Sequence, residues 1–232
     1  MWGLLFDTPD IDIRVGTKES QGGGPLPASL QIVILLTLLT LAPAVLILMT
    51  CFTRVVVVLA FVRNALSLQQ VPPNQVIIGL ALLLTFFIMA PVYKEVEENA
   101  IGPLTRGEID IREAMEKGII PIRNFMLRQT REKDLALFVD LSGTPRPNGP
   151  EDIPTYVLMP AFAISELKTA FEMGFMIFVP FLVIDMVVAS ALMSMGMLML
   201  PPVMISLPLK VLLFVLVDGW DLVVKSVVSS VK

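Results

Sequence analysis

Long apolar stretches alternate along this chain with short stretches crowded by charge. The first apolar stretch covers residues 30–53 and resumes after Arg54 as far as Arg63. A second covers residues 75–93, a third 173–200 and a fourth 203–217. About 20 apolar residues cross a bilayer core as a helix, so the first three are long enough and the fourth is short. RNALSLQQVPPN joins the first pair and LPP the second. Pro43 and Pro180 fall inside stretches and are expected to kink them or mark breaks. The pattern predicts an all-α membrane protein. Two hydrophobic helical hairpins, residues 30–93 and 166–220, flank a small helical extracytoplasmic domain at 94–165. An N-terminal extracytoplasmic segment, 1–29, and a tail, 221–232, complete the chain.

The middle segment carries helix signals of its own. Thr105 and Glu108 have capping-box spacing, which predicts a helix from Ile109 to Lys117 ending at Gly118. Pro121 suits the first turn of a second helix bearing Ile122, Phe125 and Met126. Leu135, Leu137, Phe138 and Leu141 give a third an apolar side, stopped by Gly143. SGTPRPNGPEDIP reads as a loop.

Charge adds orientation. Arg54 and Arg63 flank the first short connection, and positive charge near span ends favours the cytoplasmic side. That leaves the N-terminus and the middle segment outside, although Lys225 and Lys232 pull the other way. The opening MWGLLFDTPDIDIRVG lacks the basic start, apolar stretch and cleavage site of a signal peptide. Either an export signal has been removed, or the first span serves as one.

Composition narrows the chemistry. The chain is 55% hydrophobic and 16% charged, against about 45–50% and about 25% in soluble domains, which is a membrane profile. A net charge of −4 argues against nucleic acid. With no histidine and one cysteine, Cys51, there is no Ser-His-Asp triad, His-ligated zinc or internal disulfide. Gly22, Gly23 and Gly24 lead into Pro25 without the Lys-Ser/Thr of a phosphate loop and read as a linker. No enzymatic apparatus, cofactor site or metal site is expected.

Charges within apolar stretches are the better candidates. A charge at the centre of a span costs about 2.5–3.5 kcal/mol on insertion scales, so it faces a partner or water. Lys210, the one cation in the second hairpin's apolar core, needs an anion from among Glu166, Glu172 and Asp185. The expected pair is Glu166 with Lys210, within a chain or between neighbours; Arg54 and Asp185 are the other intramembrane charges. The stretch MSMGMLMLPP places methionine at every second position and then stops at two prolines. Methionine is flexible and polarisable, so the stretch is either core filler or a deformable seal.

Five blocks then resemble one family. They are CFTRVVVVLAFVRNALSLQQVPPNQVIIGLALLLTFFIMAPV (51–92), FMLRQTREKDLALF (125–138), PAFAISELKTAFEMGF (160–175), PFLVIDMVVASALMSMGMLMLPP (180–202) and LPLKVLLFVLVDGW (207–220). Together they resemble the FliP family of flagellar biosynthesis proteins. Virulence type III secretion homologues are similar, but FTR at 52–54, PPNQV at 72–76 and DGW at 218–220 look like the flagellar branch. The resemblance implies a core subunit of a type III export gate, passing unfolded flagellar proteins across the bacterial inner membrane within the flagellar basal body. It implies five copies in a helical ring with FliQ and FliR, beside other export-apparatus membrane proteins and lipid. Part of that ring is lifted toward the periplasmic side. The resemblance further implies that Met197, Leu198 and Met199 form a pore constriction, with Gly196, Pro201 and Pro202 letting the segment leave helical geometry. Met193 and Met195 are expected in packing. A stand-alone ion channel or transporter is the competing reading.

Overall fold

In this computed structural model, residues 28–68, 70–143, 147, 149–197 and 199–231 are described. The expected segment 1–29 thus lies outside the described residues up to position 27. Every regular element among them is helical: α1 (Ala28–Leu48), α2 (Phe52–Ala65), α3 (Asn74–Val96), α4 (Gly102–Thr105), α5 (Ile111–Gln129), α6 (Glu132–Ser142), α7 (Thr155–Ser194), α8 (Pro202–Leu216) and α9 (Gly219–Ser229). A π-helical turn, Glu97–Ile101, joins α3 to α4, and a 3₁₀ turn, Pro150–Asp152, precedes α7. The chain divides into two compact units, Met1–Leu41 and Ala42–Lys232. In the first, the described side chains of α1 are exposed.

The second unit is organised by α2 against α7, the most extensive helix pair. The buried residues of α2 are Arg54, Val55, Val58, Leu59, Val62 and Ala65, a helical stripe with three valines fully enclosed. Each such side chain contributes about 1.5–3 kcal/mol relative to exposure. On α7 the matching stripe is Val157, Leu158, Ala161, Phe162, Ser165, Glu166, Ala170 and Gly174. The helices close on Gly174: a Cβ there would lie 2.5 Å from Phe61 Cγ, so only glycine admits that ring. Phe61 also meets Phe171 edge-on at 5.3 Å. Helix α3 packs on α2 and α5; α6 packs on α7, and α8 on α7 and α9.

Two helical stretches are long and apolar enough to cross a membrane, residues 74–105 and 155–194. Both outrun the sequence pattern. The second apolar stretch continues as helix through the π turn, with Lys94 and Glu98 paired at 3.7 Å one turn apart. The third begins at Thr155 and runs unbroken through Pro160 and Pro180, so Pro180 does not break it. The first stretch divides instead at Met49–Cys51, between α1 and α2.

The middle segment departs from expectation at its first helix. Thr105 does not cap it; its hydroxyl bonds back to the Gly102 carbonyl. Asp110 is the N-cap, accepting from the Glu113 amide at 2.8 Å. From there α5 runs as one helix through Gly118 and Pro121 to Gln129, where two had been expected. Its tertiary contacts with α3 and α7 override both local stop signals. The expected third helix is present, ending at Gly143 in the left-handed conformation (φ 65°).

Candidate functional site

The methionine segment is built by its ends. Helix α7 finishes on two backbone bonds, Met197 N–H to Leu192 C=O and Gly196 N–H to Met193 C=O, both 3.0 Å. That is a Schellman motif, and it requires the left-handed φ of 75° that Gly196 adopts. Pro202 then begins α8 at a position where its missing N–H costs nothing. The chain between these ends leaves helical geometry as a short loop. Met199 is 99% exposed and Met197 48% exposed; Leu198 lies outside the described residues. Met193 and Met195, expected in packing, are exposed too.

Among the described residues the two buried cations each centre a cluster, and another buried charge, Asp134, accepts from Ser165 Oγ at 2.8 Å. Arg54, 2% exposed on α2, donates Nε to Glu166 Oε2 at 3.0 Å and an Nη to Glu166 Oε1. It also donates to Gln129 Oε1 at 3.0 Å, to the Ser230 carbonyl at 2.7 Å and to Ser230 Oγ at 3.1 Å. All five guanidinium donors are thereby used. Full donor use is what makes a buried charge tolerable.

Lys210, 1% exposed on α8, donates to Asp185 Oδ2 at 2.6 Å and to Ser67 Oγ at 2.8 Å. The expected Glu166–Lys210 pair is therefore not the one the chain makes. Glu166 is held by Arg54, and Lys210 takes Asp185 from the expected set of carboxylates. Glu172, the third of that set, is bound through both oxygens by Arg131 at 2.9 and 2.6 Å. Those bonds raise the Arg131 pKa above its ordinary value. Asp185 Oδ1 is buried and has no hydrogen-bond partner among the described residues.

Sequence reasoning missed Ser67, Gln129 and Ser230. Ser67 gave little signal: it is one serine in the connection LSLQQ, and its left-handed φ of 59° shows only in the fold. Gln129 and Ser230 give none, because an uncharged polar residue near a helix end is ordinary. Among the described residues no cluster of three or more His, Cys, Asp or Glu could hold a metal ion.

Comparison with known proteins decides what kind of chain this is. A model of the FliP family matches residues 35–227. The chain belongs to the FliP family. The flagellar biosynthetic protein FliP of Bacillus subtilis is 60% identical over 203 residues, covering 88% of this chain and 92% of the relative. The FliP of Pectobacterium carotovorum is 51% identical over 232 residues, covering 98% and 90%. That of Borreliella burgdorferi is 51% identical over 215 residues, covering 91% and 85%. Both clusters and the methionine segment lie inside the FliP-matched region, except for Ser230, which follows it.

Proposed function

We propose that this FliP-family chain is a core pore-forming subunit of the flagellar type III export gate. In this reading it passes unfolded flagellar proteins across the inner membrane, in a ring with FliQ and FliR. The observation that carries the pore reading is Met199, almost wholly exposed in a loop that Gly196 and Pro202 delimit. A pore for unfolded chains must accept many side chains and still retain ions when idle. Thioethers on a non-helical loop can do both, where β-branched residues would be too stiff. Repeated around a ring of five copies, Met197, Leu198 and Met199 make a deformable seal. The two hairpins then pack on neighbouring subunits, and part of the ring stands toward the periplasm. Phe175, Met176, Met186 and Val187, exposed among the described residues on the half of α7 that α8 covers on one side only, support such neighbours.

The test separates sealing from packing. Met197→Ala, Leu198→Ala and Met199→Ala combined should leak ions or small solutes in cells while complex levels stay normal. Core filler gives the reverse order, because truncating a packed methionine costs about 2–5 kcal/mol. Reduced complex without leakage would therefore remove these residues from the gate.

A further inference from the structure

The buried Arg54 cluster does more than neutralise a charge. Glu166 alone balances the guanidinium, using two of its five donors. Two more reach the carbonyl and hydroxyl of Ser230, just beyond the end of α9. The Gln129 amide accepts the remaining donor and gives its own N–H to the Val231 carbonyl at 2.9 Å. A helix C-terminus presents carbonyls that lack intrahelical partners and carries partial negative charge, so a guanidinium there is doubly favoured. Val223, Val227 and Val231 add a buried stripe at four-residue spacing.

The same arrangement makes α9 separable. It is an 11-residue helix, and helices of that length depend on tertiary packing for their order. Its departure would leave Arg54 still paired with Glu166, so no charge is stranded. A cavity of about 520 Å³ adjoins the site; its lining is mostly apolar, with Val228 and Val231 among it, and includes the polar Glu95, Arg128 and Gln129. Water entering that space reaches Gln129 and can replace the bond that Val231 supplies to it.

We propose that Ser230 and Val231 form a latch on Arg54 and Gln129, and that α9 seats and unseats as a unit while α2 and α7 stay locked. The proposal stands on the fold and does not need the export reading. Hydrogen exchange on the purified full chain tests it, comparing the parent with Gln129→Leu and Arg54→Lys. Gln129→Leu keeps the Arg54–Glu166 pair and removes the bridge to Val231. Arg54→Lys keeps the charge but loses the fork that spans Glu166 and Ser230.

Amides of residues 219–231 should exchange about tenfold faster in Gln129→Leu, the change that ~1.4 kcal/mol of local stability produces. The effect should be larger in Arg54→Lys, and α2 and the first half of α7 should keep parental protection in Gln129→Leu. Parental exchange in α9 overturns the proposal, as does acceleration of α2, α7 and α9 together. If Arg54→Lys does not fold, Gln129→Leu decides alone.

Discussion

The two halves of α7 are one helix in two different environments. From Thr155 to Gly174 eight residues are buried against α2 and its neighbours, and Glu166 lies fully enclosed with both oxygens bonded. Beyond Gly174 only Phe181, Val188 and Leu192 are buried, while Phe175, Met176, Met186 and Val187 face outward. The carboxylate of that half, Asp185, has one oxygen on Lys210 and the other unmatched. Both halves are largely apolar with a carboxylate embedded among apolar side chains, Glu166 in one and Asp185 in the other, although the first also carries Lys168 and Glu172. What differs is what surrounds them. The first half is solvated by its own chain, whereas the second exposes more apolar surface than a lone soluble protein tolerates and requires lipid or other subunits.

Substitutions should break this contrast unevenly. The largest loss is expected for Arg54→Ala or Glu166→Ala, since either strands a buried charge at a cost of about 3–5 kcal/mol. Thermal melting and yield of the purified chain should show it. Gly174→Ala comes next: its Cβ would meet Phe61 at 2.5 Å, and such overpacking costs about 1–3 kcal/mol. In the second half, Lys210→Met should cost at the lower end of about 1–3 kcal/mol, because half-buried Asp185 can turn to solvent. If Lys210→Met proves as damaging as Glu166→Ala, the halves are equally self-contained and the contrast fails. The smallest effect on the chain itself should follow Met186→Ser or Val187→Ser, within about 0.5 kcal/mol, since both side chains are exposed. The same changes should lower recovery of the assembled complex.

The sequence carried the periodic part of this picture and left out the pairing. Apolar stretches mark much of α2, α3, α7 and α8 because hydropathy is local, and the family resemblance marked Gly196 and Pro202 as the residues that let the loop leave the helix. Arg54 and Glu166 are 112 positions apart, and charge balance alone could not choose between Arg54 and Lys210 as the acid's partner. The register of α2 on α7 makes that choice, through Gly174 and the valine stripe. At α5, Thr105 offered a cap and Gly118 a stop, and neither holds in the fold, where Asp110 is the cap. Contacts with α3 and α7, which no local signal encodes, decided each. Met193 and Met195 show the limit from the other side: they were expected in packing, yet both are exposed among the described residues.

The central claim is that the second half of α7 and the methionine loop are surfaces made for other subunits. Mild-detergent extraction followed by a mass measurement of the native particle tests it most directly. The account predicts an assembly of several copies of this chain, alone or with FliQ and FliR, and loss of that assembly in Met186→Ser while the isolated chain stays folded. A stable monomer that still restores motility would contradict it.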